Sequence, residues 1–353
     1  MVDNIDVPLK YSKKNKSNVV VKKESYKSIV EKLNDDAVVF IHNLDEFKSR
    51  IVLESSEKIK FIWLFFGVEY FSFFNSDHLY GPISKKYKNQ WLKEFLKKRI
   101  GPFLLPLNYL TKGKKHPKIL IRRAAKKIYY FGIVHEEDYR IVKSRLNPKL
   151  KHFKFCYYPL EFLINNLVEY SFEKNNILLG NSSFLSNNHF EALEILSKLN
   201  IENMSIITPL SYGDPEYSNE VIKAGKNKFG DSFRPLVDFM SLKEYNNILK
   251  TCSIAILNSY RQQAIGNIIT LLWMGAKVYL DERNTFYQYL KRKELHVFSV
   301  NKDLNERNPL ALKPLSKIET EDNRKILMEE LSSEVLLNEL HNQIESIYCE
   351  GSF

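Results

Sequence analysis

The stretch from Cys252 to Asn284 constrains the fold more than any other part of the chain. It opens with the apolar run Cys252–Leu257 and passes through a polar loop beginning at Asn258. It continues into an apolar helical segment, Gly266–Met274, and after Gly275 reaches a second apolar run, Lys277–Leu280. Short apolar runs bounded by polar loops read as buried strands, and a glycine after the last helical position ends a helix. The unit is a parallel strand–helix–strand whose loop lies at the carboxyl end of its first strand, where open α/β sheets bind ligands. That loop holds a permanently charged fork, Arg261, two amides, Gln262 and Gln263, and a glycine at a helix start, Gly266. Arg261 can clamp a phosphate bidentately, and free N–H groups at Gly266–Asn267 favour an anion. The same residue types also suit a surface ion pair and solvated amides, so spacing alone leaves both readings open.

Alternation of strand and helix extends along most of the chain. A helix is expected at Ser25–Leu33, a strand at Ala37–Ile41, a helix near Leu44–Leu53 and a strand at Ile59–Phe66 followed by a loop. Further strands are expected at Lys127–Phe131, Phe155–Tyr158, Asn176–Leu179, Met204–Thr208 and Leu236–Phe239, separated by helices such as Glu136–Arg145, Asn188–Leu199 and Glu216–Phe229. This order predicts parallel sheets covered by helices. A chain of 353 residues is long enough for two such units. The expected division is an N-terminal unit over residues 1–165, with a poorly ordered lysine-rich start at 1–20, and a C-terminal unit over 174–322. A last helix, Asn323–Ile347, is expected to pack back on the first unit.

Three cysteines at unrelated spacings suggest neither a disulfide framework nor a metal site, and reducing cytosol is the simplest reading. No signal-peptide pattern opens the chain, and no apolar run reaches the roughly 20 residues of a membrane helix. The charge is lopsided. Between Lys85 and Lys127 fifteen Lys and Arg face one acid, Glu94, a net charge of +14 where the whole chain carries +11. Over 86–99 the segment is amphipathic, with Trp91 and Phe95 beside Lys98 or Arg99. A merely solvated face usually mixes signs, so an anionic partner is expected, and Lys97, Lys98, Arg99, Arg122 and Arg123 are the proposed contacts. No nucleic-acid-binding motif accompanies them, and nucleic acid is not expected as a partner.

Arg261-Gln-Gln-Ala-Ile-Gly-Asn267 resembles the signature of the bacterial 4-acetamido-4,6-dideoxygalactose transferases, which move N-acetylfucosamine from a dTDP-sugar to a lipid-linked glycan of enterobacterial common antigen synthesis. Leu178-Leu-Gly-Asn-Ser182 with Asn187-Asn-His189, Pro209-Leu-Ser-Tyr-Gly213 with Tyr217, and Phe239-Met-Ser-Leu-Lys-Glu-Tyr245 resemble further motifs of that family, in its order. Phe66-Gly-Val-Glu-Tyr70 is similar to its Trp-Gly-x-Asp/Glu motif, with Phe66 in place of tryptophan. The resemblance implies two Rossmann-like domains facing across a cleft, the GT-B architecture, and a hexosyltransferase. It implies a dTDP-sugar donor, a polyprenyl-pyrophosphate-linked acceptor, and a peripheral position on the cytoplasmic face of the bacterial inner membrane. Implied donor contacts are Gly180, Asn181, Ser182, Asn188, His189, Tyr212, Gly213, Phe239 and Met240, together with Arg261, Gln262, Gln263, Gly266 and Asn267. A turn with a helix cap explains Gly180-Asn-Ser182 as well. Another nucleotide sugar such as a UDP-hexose, or an inactive transferase-like module on anionic surfaces, are the alternatives.

Cleaving a nucleotide sugar leaves negative charge on a diphosphate, which a divalent metal or cations with helix N-termini can meet. The sequence holds no Asp-x-Asp pair in a convincing loop, so metal-independent transfer without a cofactor is expected. The acceptor hydroxyl needs a general base. Glu69, just past an apolar strand, is the first choice and His42 the second, although Glu69 suits a structural pair with a nearby cation equally.

Overall fold

Burial on both faces decides which apolar runs become the central strands. The computed structural model describes residues 25–74, 78–88, 117–164 and 175–349. The N-terminal sheet contains β1 (Val38–His42), β2 (Lys60–Leu64), β3 (Tyr130–Ile133) and β4 (Lys151–Lys154), in that spatial order and parallel throughout. Helices α1 (Tyr26–Glu31), α2 (Glu46–Glu54), α3 (Val68–Phe74), α4 (Pro117–Lys127) and α5 (Glu136–Arg145) lie between or before these strands. After α6 (Leu160–Ile164) the C-terminal sheet begins with β5 (Ile177–Leu179), followed by α7 (His189–Leu196), β6 (Ile206–Pro209), α8 (Pro215–Phe229), β7 (Phe233–Leu236) and α9 (Leu242–Leu249). It continues with β8 (Ile254–Leu257), α10 (Ile265–Met274), β9 (Lys277–Leu280), α11 (Thr285–Arg292) and β10 (Phe298–Ser299). Every residue of β5, β6, β8 and β9 is buried, as parallel strands covered by helices on both sides must be.

The order of the C-terminal sheet is β10-β9-β8-β5-β6-β7, all parallel. The direction in which strands are added to the sheet reverses between β5 and β8, which pair directly through Ile177–Ile254, Leu178–Ala255 and Leu179–Ile256. This doubly wound order opens a crevice above the carboxyl ends of β5 and β8, between helices that leave on opposite faces.

The C-terminal segment differs from the single helix expected at Asn323–Ile347. It forms α12 (Lys317–Leu331) and α13 (Ser333–Cys349), broken at Ser332, whose backbone is extended (φ −62°, ψ 151°). Ser332 Oγ accepts from Val335 N (3.4 Å), and the Glu161 carboxylate accepts from Ser333 N (2.8 Å), so the break is a capped re-start. The turn lets α13 reach the N-terminal sheet. Ile347, with Leu340 and Ile344, packs on Ile62, Leu64, Tyr130 and Phe153, the face left open by α2 and α4. Gln343 ties the helix to the edge strand by donating to Lys154 O (3.1 Å) and accepting from Lys154 N (2.6 Å).

Three strands sit a few residues away from their expected places. The Lys127–Phe131 run ends α4 and starts β3, β4 precedes Phe155–Tyr158, and β7 precedes most of Leu236–Phe239. Edge strands β4 and β7 are half exposed and carry Lys151, His152, Lys154 and Arg234, so they lack the apolar signature. The aromatic residues that mimic a strand after β4 are instead a loop facing the cleft. The loop expected after β2 is the short helix α3.

Ile347 is 3% exposed, so Ile347→Ala is expected to cost about 2–5 kcal/mol of stability. Urea unfolding with amide exchange should show the loss, with protection falling first in β2–β4; unchanged protection there would mean α13 is not what covers that sheet.

Candidate active site

Loops at the carboxyl ends of both sheets enclose a cleft of about 460 Å³. From the N-terminal sheet come Phe65 and Phe66 after β2, Val134 after β3, and Phe155–Tyr158 after β4. Opposite them lie Asn181, Ser182 and Phe184 after β5, Tyr212 after β6, and Arg261–Gly266 between β8 and α10. The second set surrounds the switch-point crevice.

A hydrogen-bond network sets the shape of these loops. Asn181 Oδ1 accepts from Gln263 Nε2 (2.9 Å) and Asn181 Nδ2 donates to Tyr212 Oη (2.9 Å), joining the loops after β5, β6 and β8. Asn187 braces the first loop, donating to Ser182 O (3.0 Å) and accepting from Asn181 N (3.2 Å). Gln262 Nε2 donates across the cleft to Phe66 O (3.3 Å). Ala264 lies in the left-handed region (φ 58°) as the N-cap of α10 and makes no side-chain capping bond. A non-glycine residue in that region is strained, and such strain persists where the surroundings enforce it. The first intrahelical bond is Ile268 N to Ala264 O (3.0 Å), which leaves the N–H groups of Ile265, Gly266 and Asn267 without helical acceptors. Residue type gave no hint of Ala264's role, because alanine does not announce a positive φ.

Arg261 stands beside this helix start. Its Nη1 donates to Gln262 O (2.9 Å), and among the described residues no carboxylate comes within ion-pair distance. Burial pulls its pKa down, while the fields of Asp138 and Glu69 act the other way. Aromatic rings form the facing wall: Tyr157 lies 4.9 Å from Phe66 and 4.9 Å from Phe155, centroid to centroid. An unpaired guanidinium, uncapped helical amides and an aromatic wall together suit an anion attached to a ring.

Several expected contacts sit elsewhere. Asn188 and His189 are fully buried and do not line the cleft. Asn188 Oδ1 accepts from Gly81 N (2.9 Å) and its Nδ2 donates to Leu79 O (3.2 Å) and Asn258 O (3.0 Å). His189 Nδ1 pairs with Tyr217 Oη (3.1 Å). Gly180 (φ 69°) makes room for that imidazole rather than for a ligand, since a Cβ there would lie 2.4 Å from His189 Nε2. Gly213 (φ 123°) packs against Ser183 and supports the loop carrying Tyr212. Asn267 Nδ2 donates to Tyr245 Oη (3.1 Å), towards α9. Phe239 and Met240, past the end of β7, are outside the lining, Phe239 being 57% exposed.

Neither expected base lines the cleft directly. Glu69, in the first turn of α3, is buried behind Phe66, and its Oε1 accepts from Trp63 Nε1 (3.0 Å) and Phe66 N (3.1 Å). Its Oε2 has no hydrogen-bond partner, and burial pushes its pKa up. His42 is exposed, with Nδ1 3.1 Å from the hydroxyl of Tyr157, which does line the cleft. Arg122 and Arg123 are exposed on α4, and Lys97, Lys98 and Arg99 lie outside the described residues. A cluster the sequence did not mark joins the two halves beside the cleft. His135 rests on Phe286 and Tyr289 of α11, and Arg292 Nε pairs with Glu137 Oε1 (2.8 Å). Burial works against the Glu137 charge, but the nearby His135 (Nδ1 3.4 Å from Oε2) and the bond from Arg292 outweigh it and hold its pKa at about 2.

Residues 120–328, more than half of the chain, match the family described as 4-alpha-L-fucosyltransferase, glycosyl transferase group 56. The chain belongs to that family. It is a glycosyltransferase, which sets aside the expectation's non-catalytic alternative. Its fold is GT-B. The trehalose-6-phosphate phosphatase N-terminal domain of Candida albicans superposes with a TM-score of 0.61 at 12% identity, covering 93% of this chain and 73% of that one. Sucrose-phosphate synthase from Thermosynechococcus elongatus (TM-score 0.58, 9% identity, 88% and 74% covered) is similar in fold. So is alpha,alpha-trehalose 6-phosphate synthase from Burkholderia multivorans (TM-score 0.59, 11% identity, 93% and 75% covered).

Burial pushes the His189 imidazole down from its ordinary 6.5 to about 3. The folded protein then keeps it neutral while the unfolded chain takes up a proton, so this group's contribution erodes stability as pH falls from 6.5 towards 3. His189→Gln removes that slope, and the stability gap between variant and wild type is expected to narrow by about 2–3 kcal/mol between about pH 6.5 and pH 4.5. Urea denaturation at the two pH values measures it; a gap that ignores pH would show that His189 is not held neutral.

Proposed function

We propose that the enzyme transfers a 4-acetamido-4,6-dideoxyhexose of the N-acetylfucosamine type from a dTDP-sugar to a polyprenyl-pyrophosphate-linked glycan. The observation that carries this reading is the unpaired Arg261 beside the uncapped start of α10, at the switch point of the C-terminal sheet. A nucleoside diphosphate leaving group develops charge on its phosphates, and preorganised cations and amides aimed at that charge lower the barrier most. The family's description names a fucosyltransferase, an enzyme for a 6-deoxyhexose, in keeping with a dideoxyhexose donor. Asn181, Tyr212 and Gln263, already oriented by one another, supply donors and acceptors for sugar hydroxyls at the same cleft.

In this reaction the acceptor oxygen bonds to the anomeric carbon as the carbon–oxygen bond to the diphosphate breaks, and the acceptor proton passes to a base. Of the two, Glu69 has the unpartnered oxygen and the basicity raised by burial, and Phe66 must move aside for it to reach the acceptor hydroxyl. His42 is engaged with Tyr157. Arg261 and the α10 amides carry the leaving-group charge without a metal in this scheme. Among the described residues no helix is long and apolar enough to cross a membrane. A lipid-linked acceptor then implies peripheral binding to the anionic cytoplasmic face of the inner membrane, through the basic segment that includes Arg122 and Arg123.

Arg261→Ala is expected to lower kcat/KM by about 100-fold or more, as loss of a transition-state charge contact does, with an unchanged far- and near-UV spectrum. Activity near wild type in the folded variant would remove the phosphate clamp. Calorimetry of dTDP against UDP, with and without divalent metal, tests the donor: metal-independent dTDP binding lost in Arg261→Ala is expected. Preference for UDP would discard the dTDP-sugar, and a metal requirement would discard the metal-free scheme.

A further inference from the structure

Arg261 and the start of α10 form the cleft wall that suits a leaving diphosphate, and a second cavity of about 400 Å³ around Lys88 lies behind Arg261 on that same side. In an in-line displacement the attacking hydroxyl reaches the anomeric carbon from the side away from the diphosphate. That side is the wall built by the N-terminal sheet, where Phe66 screens the buried Glu69. Two tyrosines bring hydroxyls to this wall, Tyr157 and Tyr158. The Tyr157 hydroxyl lies 3.1 Å from His42 Nδ1, with the ring centroids 5.4 Å apart. His42 ends β1 and is exposed, so the pair spans the wall from cleft to solvent. Asn43, left-handed (φ 54°), turns the chain just after His42 and donates its N–H to Leu64 O (3.1 Å), which fixes where the imidazole stands. Lys48 of α2 faces His42, its Nζ held by Asp45 Oδ2 (2.7 Å) and Asn43 O (3.1 Å), and Glu69 faces Tyr157 from behind Phe66. Burial and the Lys48 charge keep the imidazole below its ordinary 6.5, and burial with the Glu69 charge keeps the phenol above its ordinary 10. Near neutral pH the phenol therefore holds its proton and the imidazole is free to accept one.

We propose that Tyr157 is a catalytic residue that takes the acceptor's proton while handing its own to His42, which releases it to solvent. The proposal deepens the reading of the cleft as the site of sugar transfer and rests on it. As the acceptor oxygen bonds to the anomeric carbon, its O–H bond breaks and that proton moves to Tyr157 Oη. The Tyr157 proton moves in turn to His42 Nδ1, and the electron pair of the breaking carbon–oxygen bond leaves with the diphosphate. His42, now an imidazolium, returns its extra proton to water. A phenol that receives one proton as it gives another carries no charge, so its raised pKa does not oppose the step. This route leaves Phe66 in place, which direct transfer to Glu69 does not.

Hydrolysis of dTDP-N-acetylfucosamine by the full chain, with water as the acceptor, tests the relay without assuming a glycan; UDP-glucose is run in parallel. Tyr157→Phe keeps the ring that packs on Phe66 and Phe155, and it is expected to lower kcat about 100-fold, the usual scale of proton-transfer catalysis. His42→Ala should fall by a similar factor and recover about tenfold or more with added imidazole, which a merely structural role would not allow. NMR of the chain carrying nitrogen-15 histidine reads the pair with no substrate present. His42 Nδ1 is expected to be unprotonated at pH 8, and its signal should move in Tyr157→Phe. A Tyr157→Phe rate within about twofold of wild type, no rescue by imidazole, or a protonated Nδ1 at pH 8 would each overturn the relay. Hydrolysis of UDP-glucose with the same dependence on Tyr157 and His42, the dTDP-sugar being left intact, would instead sink the donor reading alone.

Discussion

Asn188 holds the relation between the two sheets. Its backbone is left-handed (φ 51°), and its amide reaches the segment before the helix at 82–88 and the loop after β8 at once. Asn258 returns a bond from its own amide to Asn188 O (3.3 Å). A fully buried amide that uses both ends costs little to bury, but one deprived of partners costs about 1–3 kcal/mol for each group left unsatisfied. Asparagine is among the few residues that tolerate this backbone and can also supply donor and acceptor. The cleft walls depend on it, because the loops it joins carry Arg261 on one side and the cavity around Lys88 on the other.

Around that clamp the doubly wound order of the C-terminal sheet gathers the cleft loops above the carboxyl ends of β5 and β8. β5 and β8 run side by side while their following helices diverge, so the loops at Gly180 and Asn258 have no helix stacked above them. The strain at Ala264, the bare start of α10 and the unpaired Arg261 all collect at this opening. Some buried charges elsewhere are paired, as Asp281 with Arg283 (2.7 Å) or Glu137 with Arg292. Arg261 has no carboxylate partner among the described residues at the place where the sheet opens.

Much of this was legible residue by residue. The run from Cys252 to Leu280 gives β8, α10 and β9 nearly to the residue, because its strands are buried on both faces and Gly275 closes the helix (φ 90°). Arg261, Gln262, Gln263 and Gly266 were recognisable as loop residues at a strand's carboxyl end, and they line the cleft. Asn188 and His189 misled for a physical reason: a polar residue beside a strand end looks the same whether it faces a ligand or satisfies buried carbonyls. Tyr157 and Tyr158 misled in the opposite sense, since aromatic residues lining a cleft share the composition of a strand.

The sequence by itself determined the alternation of strands and helices, the parallel sheets and the loop that carries the cation, because periodicity and capping act over a few residues. Only the tertiary structure decided the strand order that opens the crevice, the turn at Ser332 that sends α13 back over the first sheet, and the meeting of Gly81 with Asn188, 107 positions apart. Those depend on which distant surfaces bury one another, and no local pattern records a partner that lies a hundred residues away.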